Sequence, residues 1–302
     1  MKLDEFLRLN APEEMAKVTT AISKACLTVW ESIPFKTGLA PDVNPSGDRQ
    51  KDIDVFSNDI YSEALTSTGV VGEVASEEMA EVVEGKGRLS VAMDPLDGSS
   101  NVESNNPLGS IFGFYSRPLP CSGRNIIGGL YVTYGNTITI TLSFGKGVHR
   151  FVAARHGQEM SFELLGLDLK VPEKPEVYGV GGFRKDWIPP VRTFVDSLEG
   201  RGMRMRYCGT FVGDYNQVLT RGGIFAYPEM LGKPQGKLRI LYETAPIGFI
   251  NEQGGGYATD GRRNILDIEP KSLSETAPFY IGSAPLLHEL ERLVSSSSAS
   301  PA

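Results

Sequence analysis

Segment 94–100, Asp-Pro-Leu-Asp-Gly-Ser-Ser, combines residue types that bind metal ions and phosphate groups. Asp94 ends the β-like run Leu89–Met93, and the proline and glycine that follow it force a turn. We therefore expect Asp94 and Asp97 at the carboxyl end of a strand, where α/β folds bind ligands. Mg²⁺ pairs a few carboxylates with water and phosphate oxygens, and the N–H and hydroxyl groups of residues 98–100 could hold a phosphate beside it.

Further carboxylates occur at Asp48 and Asp54, in the pair Glu77-Glu78, and at Glu243. An isolated acidic residue is most often a solvated surface group. Carboxylates that cluster in a folded protein repel one another, however, and a divalent cation between them relieves the repulsion. The hypothesis is that these residues, although distant in sequence, converge on one divalent-metal site.

Covalent catalysis is poorly supported by the remaining residues. The histidines His149, His156 and His288 do not lie near a recognisable nucleophile. Ser99 or Ser100 would need an adjacent base, and the GxSxG nucleophile motif is absent. Direct attack by a metal-activated water fits these residues better.

The bulk composition excludes several classes of function. The chain of 302 residues has 37 acidic and 30 basic side chains, a net charge of −7, and no long basic run, which argues against nucleic-acid binding. An anionic substrate must therefore be attracted by local Lys and Arg residues or by a bound cation. Three widely spaced cysteines indicate a reducing compartment. No secretory signal and no run of about 20 apolar residues is present, so a cytoplasmic location without a membrane span is expected.

Hydrophobic periodicity predicts α/β layers. In the first half it favours two helices within 4–33, a loop at 36–48, a helix at 50–65, strands at 88–94 and 110–115, and a hairpin at 130–142 around Gly135-Asn136. In the second half helices alternate with strands. The predicted helices are 188–199, 211–221 and 242–254, and the predicted strands are 177–181, 203–207, 223–227 and 279–282.

The same pattern predicts two closely packed halves. Residues 1–170 would carry the metal-binding and catalytic carboxylates, and residues 171–294 would bind the substrate. The division is placed near 165–176, where Gly166, Pro172 and Pro175 interrupt the periodicity. Residues 295–302 contain too few apolar side chains to pack and are predicted to form a disordered tail.

Segment 94–101 closely resembles the metal-binding segment of class I fructose-1,6-bisphosphatases, and further motifs of that family follow in the same order. They are Gly47-Asp48 to Asp59, Ser76-Glu77-Glu78, Arg206-Tyr207 with Asp214, Gly222 to Pro228, and Gly236 to Glu243. The resemblance implies a layered αβαβα sugar-phosphatase fold. It also implies Mg²⁺-dependent hydrolysis of the 1-phosphate of fructose-1,6-bisphosphate in carbohydrate metabolism, as in gluconeogenesis.

The resemblance implies a role for each matching position. Two or three Mg²⁺ ions, replaceable in principle by Mn²⁺ or Zn²⁺, would be held by the Leu96 carbonyl and by the side chains of Glu77, Asp94, Asp97 and Glu243. The attacking water would be activated by Asp54 and Glu78, beneath a mobile loop with Asn44 and Asp48. The sugar bisphosphate would contact Asp97, Gly98, Ser99, Ser100, Tyr207, Tyr227, Lys237, Arg239 and an Arg206 from a neighbouring subunit of a homotetramer.

The chain departs from the family in two places. The usual Asn-Glu-Gly-Tyr of the distal phosphate pocket is replaced by Val180-Gly181-Gly182-Phe183, which leaves sedoheptulose-1,7-bisphosphate open as the substrate.

Lys237 and Arg239 argue against an inositol monophosphatase-like enzyme, and the intact carboxylates argue against a silent metabolite-binding homologue.

The Thr-Gly-Glu-Leu nucleotide site of AMP-inhibited members has no counterpart around residues 9–12. We therefore expect weak or absent inhibition by AMP. A titration of the activity with AMP checks this expectation, and inhibition at micromolar concentrations contradicts it.

Overall fold

The computed structural model describes residues 1–44 and 49–298. The predicted mobile-loop residue Asp48 lies outside the described residues. Within them the α-helices are α1 Leu3–Asn10, α2 Glu13–Ser32, α3 Asp52–Thr66, α4 Pro189–Gly200, α5 Phe211–Arg221, α6 Ala245–Gln253 and α7 Ala284–Ser298. No described helix is both long and apolar enough to cross a membrane.

The strands divide between two large sheets and two small ribbons. In chain order the strands are β1 Leu39–Val43, β2 Arg49–Lys51, β3 Val71–Ser76, β4 Val83–Glu84, β5 Leu89–Asp97, β6 Leu108–Tyr115, β7 Ile126–Tyr134, β8 Ile138–Ser143, β9 His149–His156, β10 Glu159–Gly166, β11 Val177–Val180, β12 Arg204–Met205, β13 Gly223–Tyr227, β14 Leu238–Arg239, β15 Tyr257–Thr259, β16 Thr276–Ala277 and β17 Phe279–Gly282. Eight of them form a sheet in the order β10-β9-β8-β7-β6-β5-β3-β4, and five form a sheet in the order β12-β11-β13-β17-β15.

Each large sheet is covered on both faces, which produces five layers. Along β5, Val91 and Met93 pack with α1, α2 and α3, whereas Ala92 faces a second core that contains α5 and α6. Along β13, Phe225 faces that same second core, whereas Ile224 packs with α4 and α7. The order helix, sheet, helix, sheet, helix confirms the predicted αβαβα fold.

Both halves of the chain contribute to the central core. It contains Ala75 and Ile111 from the eight-stranded sheet together with Phe211, Ile247 and Phe279 from the second half. The predicted boundary at 165–176 falls between β10, which ends the larger sheet along the chain, and β11, which starts the smaller one. The assignment of separate roles to 1–170 and 171–294 stays a prediction.

Most predicted elements lie within a few residues of their expected positions, but several predictions were wrong in detail. The predicted loop 36–48 contains β1, which pairs antiparallel with β2. The predicted helix 242–254 begins as a π-helix at Ile240–Thr244 before α6. The first residues of the predicted tail continue α7 as far as Ser298. There the side chain of Ser297 donates a hydrogen bond to the Val294 carbonyl, which does not require an apolar partner.

Candidate active site

Three buried or half-buried carboxylates meet at one edge of the eight-stranded sheet. Glu77 follows β3, Asp94 lies in β5, and Glu243 lies in the π-helix before α6. Because β3 and β5 are parallel neighbours, their carboxyl ends coincide, and the Glu77 N–H donates to the Met93 carbonyl at 3.1 Å. One oxygen from each of the three carboxylates lies within 4.8 Å of the others. The predicted convergence of these three residues is therefore present in the fold.

Asp97 lines the same cavity but uses its carboxylate differently. Its Oδ1 accepts a hydrogen bond from Phe211 N at 3.1 Å, and its Oδ2 accepts one from Val212 N at 2.7 Å. These N–H groups form the amino end of α5, where the helix dipole favours a negative charge. Thus Asp97 joins the carboxylate edge of the first half to a helix of the second.

The carboxylates raise one another's pKa. Burial raises the pKa of Asp94 well above its ordinary value, and the charges of Glu77, Asp97 and Glu243 add to the effect. Burial also raises the pKa of Glu243, to about 7, although Arg239 opposes the shift. A site with these properties favours binding of either protons or a cation, because like charges in a low dielectric cannot all stay ionised alone.

Arg239 supplies a cation from within the chain. Its guanidinium Nη1 lies 2.7 Å from Glu77 Oε1 and 3.8 Å from Glu243 Oε2. Its backbone N–H donates to Glu243 Oε2 at 2.6 Å. Arg239 is itself buried, with 6% of its surface exposed, so this is a desolvated ion-pair cluster and not a surface salt bridge.

A second pair of acids lies beside the cluster. Asp54 is buried in the first turn of α3, where its Oδ2 accepts a hydrogen bond from Lys51 N at 2.7 Å. Burial raises its pKa. Glu78 Oε2 accepts a hydrogen bond from the side chain of Gln50 at 2.5 Å. Both acids line the cavity, and Asn44 lines it too, whereas their predicted roles stay predictions.

The cavity between these groups has a volume of about 240 Å³ and is mainly polar. Gly98, Ser99 and Ser100 form part of its wall. Gly98 has φ +79°, and a Cβ there would lie 2.7 Å from Thr210 Cβ, so the turn requires glycine. Every described residue predicted for the site lines this cavity except Arg206 and Tyr207.

The far end of the cavity is formed by aromatic and basic side chains. The Lys237 ammonium lies 5.2 Å from the centre of the Tyr227 ring, and the Tyr227 hydroxyl is hydrogen bonded to that of Tyr207 at 3.0 Å. Tyr207 thus reaches the site through Tyr227. Arg206 is exposed next to the edge strand β12 and does not line the cavity of its own chain.

Several cavity residues were missed by sequence reasoning. They are Arg49, Gln50, Gly209, Phe211 and Leu238. No sequence pattern marked Gln50 as a site residue, because its contact with Glu78 depends on the fold of β2. The amino end of α5 had one signal, since Thr210 caps the helix by accepting a hydrogen bond from Gly213 N. A helix start after a threonine indicates free N–H groups that could bind a carboxylate.

Family models match the chain almost throughout. The fructose-1-6-bisphosphatase N-terminal domain matches residues 5–160, and the C-terminal domain of the same family matches residues 171–295. The chain belongs to the fructose-1,6-bisphosphatase family. This membership confirms the resemblance that the collinear motifs indicated.

Curated and solved members of the fructose-1,6-bisphosphatase family agree with this assignment. The class 1 fructose-1,6-bisphosphatase of Natronomonas pharaonis is 40% identical over 252 residues, which cover 83% of this chain and 88% of that protein. The class 1 enzyme of Geobacter sulfurreducens is 42% identical over 251 residues, covering 81% and 79%. The crystal structure of Leishmania major fructose-1,6-bisphosphatase in holo form superposes with a TM-score of 0.92 at 28% identity, covering 98% of this chain and 99% of that one.

Proposed function

We propose that this phosphoric monoester hydrolase removes the 1-phosphate of fructose-1,6-bisphosphate, giving fructose 6-phosphate and phosphate, with Mg²⁺ as cofactor. The observation that carries the proposal is the convergence of Glu77, Asp94 and Glu243 at a cavity that also contains Lys237 and Tyr227. The names of the relatives support the substrate, and carboxylate oxygens are the ligands that Mg²⁺ prefers.

The three clustered carboxylates fit a divalent ion by charge and by chemistry. They are hard oxygen donors whose raised pKa values reflect an unmet demand for positive charge. The Leu96 carbonyl and Asp97 would complete the set. When bound, Mg²⁺ neutralises phosphate charge and makes water more acidic.

The remaining residues supply positioning and proton transfer. Asp54 and Glu78 would orient the attacking water and accept its proton, because both are acids that face the same cavity as the metal ligands. Ser99, with the N–H groups of its turn, would bind the transferred phosphate. Lys237 and Arg239 would contact the sugar and its phosphates.

The distal phosphate would lie near Tyr207 and Tyr227. Arg206 is exposed and separate from the cavity of its own chain. This position is compatible with its donation to a neighbouring subunit, as the family resemblance implies, and a homotetramer is therefore part of the proposal.

A substrate panel tests the assignment. Phosphate release would be measured with fructose-1,6-bisphosphate, sedoheptulose-1,7-bisphosphate and inositol 1-phosphate, each with Mg²⁺ and again after metal removal by EDTA. The fructose substrate should have the highest kcat/KM, and re-addition of Mg²⁺ should restore activity. A preference for inositol 1-phosphate, or full activity without metal, contradicts the proposal.

One observation favours sedoheptulose-1,7-bisphosphate as a second candidate. The segment Val180–Phe183 lacks the polar side chains found there in other family members, and Phe183 is 71% exposed. Gly181 also lacks a side chain at the point where it meets the Tyr227 ring. The missing side chains leave space beside Tyr227 into which a longer sugar would extend.

Gly181→Ala is expected to raise KM for the preferred bisphosphate about tenfold, with little change in kcat. An added Cβ would lie 2.4 Å from Cε1 of Tyr227 and would displace that ring, and overpacking of this kind costs on the order of 1–3 kcal/mol. Steady-state kinetics measure the effect. Gly200→Ala is the matched control, since its Cβ would meet nothing within 4 Å. An unchanged KM would show that Tyr227 does not contact the substrate.

A further inference from the structure

A fully buried group of three hydroxyls lies directly behind the acidic turn. Ser110 and Tyr61 are completely buried, and Tyr134 has 4% of its surface exposed. They come from β6, α3 and β7 respectively. None of them lines the cavity, and the proposed chemistry does not use them. Buried hydroxyls cost free energy unless they are hydrogen bonded, so their partners indicate what they do.

Ser110 stands opposite an irregularity in strand β5. Asp94 pairs with Ile111 and Asp97 pairs with Gly109, so Pro95 and Leu96 together face the single residue Ser110. Such a bulge interrupts the ladder of backbone hydrogen bonds. The Ser110 hydroxyl donates to the freed Pro95 carbonyl at 2.8 Å. One side chain thereby fixes the backbone between the two aspartates.

The two tyrosines orient the serine. The Ser110 and Tyr134 hydroxyls are 3.1 Å apart, and the Tyr134 and Tyr61 hydroxyls are 2.5 Å apart. The Ser110 and Tyr61 hydroxyls are also only 3.3 Å apart, so the three hydroxyls contact one another. Since Ser110 uses its one proton on Pro95, Tyr134 donates to Ser110, and Tyr61 donates to Tyr134, its shorter contact. Burial raises the pKa of both phenols, so both keep their protons. The result is a directed chain from Tyr61 through Tyr134 and Ser110 to Pro95.

On its cavity side the same turn is held by different bonds. Leu96 N donates to Asp94 Oδ1 at 3.0 Å, and Asp97 accepts from the amino end of α5. On the opposite side, the chain of hydroxyls holds the turn through the Pro95 carbonyl. The segment that it holds contains Leu96, whose carbonyl is a proposed metal ligand, and joins the proposed ligands Asp94 and Asp97.

We infer that Ser110, Tyr134 and Tyr61 are positioning residues that hold the Asp94–Asp97 turn in the geometry required to bind the divalent metal. The inference rests on the proposed metal-dependent function. It gives a reason for three buried hydroxyls, because valine or phenylalanine side chains at these positions would pack without the need for hydrogen bonds.

Calorimetric titration with MnCl₂ tests the inference without measuring turnover. Ser110→Ala should raise the apparent Kd for Mn²⁺ about 10- to 100-fold, the usual effect of removing a group that orients a metal ligand. Tyr134→Phe should raise it about three- to tenfold, as expected for one neutral hydrogen bond. The double variant should bind no more weakly than Ser110→Ala alone, because Tyr134 acts only through Ser110.

Tyr215→Phe is the matched control for loss of a buried tyrosine hydroxyl. Tyr215 is also fully buried, but its hydroxyl donates to Asn251 and does not touch the turn. The Kd of Tyr215→Phe for Mn²⁺ should stay within about twofold of the Kd of the unchanged protein. An equal weakening in Tyr215→Phe and Tyr134→Phe would mean a general loss of stability and would overturn the inference.

The outcomes separate the inference from the function on which it rests. If the unchanged protein takes up no divalent ion, the proposed metal centre is wrong and the inference falls with it. If the unchanged protein binds Mn²⁺ and both single variants bind equally well, only the inference is overturned. Should Ser110→Ala not fold, Tyr134→Phe carries the same test, since it removes one oxygen and leaves the backbone of the turn untouched.

Discussion

Asp94→Asn is expected to abolish most of the activity while stabilising the metal-free protein. A bound metal contributes several kcal/mol to transition-state stabilisation, and the variant loses a proposed ligand to it. Since each 1.4 kcal/mol changes the rate by a factor of about ten, kcat should fall by about 10³-fold or more. Asparagine keeps the shape of the side chain and can still accept the hydrogen bond from Leu96 N. The loss would therefore come from the charge and not from the fold.

The gain in stability follows from the pKa of Asp94. Its pKa is raised in the folded state, so the folded protein binds more protons than the unfolded chain and loses stability as pH rises above the unfolded pKa of about 4. At pH 7–8 without metal, Asp94 lowers the stability of the fold, because its ionised form is desolvated and lies beside other carboxylates. Asp94→Asn should consequently have a higher Tm and a flatter dependence of Tm on pH than the unchanged protein.

Thermal unfolding between pH 5 and 8, with and without Mg²⁺, measures both effects. Asp196→Asn is a suitable control because Asp196, on α4, is an exposed partner of Arg184 and does not line the cavity. It should leave kcat unchanged. Full activity in Asp94→Asn, or a metal-free Tm below that of the unchanged protein at pH 8, contradicts the proposed role.

Arg239→Met is expected to destabilise the metal-free protein by about 3 kcal/mol at pH 8. Arg239 is in contact with the half-buried Glu77 and the buried Glu243, and its removal takes away a positive charge next to both carboxylates. The deficit should shrink as the pH falls towards 5, because Arg239 holds down the pKa of both acids and protons then replace its charge. Activity should fall as well, since Arg239 is a proposed substrate contact.

Added Mg²⁺ should rescue the stability of Arg239→Met more than it raises that of the unchanged protein, because it restores the missing positive charge. Urea unfolding at two pH values, with and without Mg²⁺, gives the comparison. Arg201→Met is the matched control, since Arg201 pairs with Glu289 at a half-exposed site and should cost no more than about 1 kcal/mol. An equal loss in both variants would mean that the Arg239 cluster has no special energetic role.

Local patterns predicted the elements and the acidic edge of the site well. The approach of Glu77 to Asp94 follows from two parallel strands that end together, and the β-like run before Asp94 was visible in the sequence. Glu243 was a candidate as a carboxylate, but it is far away in sequence and periodicity could not place it beside Asp94, so its role as a metal ligand came only from the family motifs. The helix predicted at 211–221 was found with the same bounds, because Thr210 caps it and Gly222 follows it.

Other parts of the site depend on contacts that sequence patterns do not encode. The bonds from Asp97 to Phe211 and Val212 span more than 110 residues and require both sheets to be packed. The position of Arg239 between two glutamates depends on the π-helix, which a helical periodicity of 3.6 residues does not distinguish from an ordinary helix. Strand β1 was missed because Leu39–Val43 contains a proline and lies in a polar stretch.

The hydrogen bonds between Asp97 and α5 also link the packing of the two large sheets to the position of Asp97. Helix α5 packs in the central layer against both large sheets, and Asp214 near its start accepts hydrogen bonds from the N–H groups of Cys208 and Gly209. The backbone from Cys208 to Val212 is thus held by one carboxylate from each half of the chain. A tilt of one sheet relative to the other would strain the hydrogen bonds between Asp97 and α5, so the packing of the layers and the position of Asp97 are coupled.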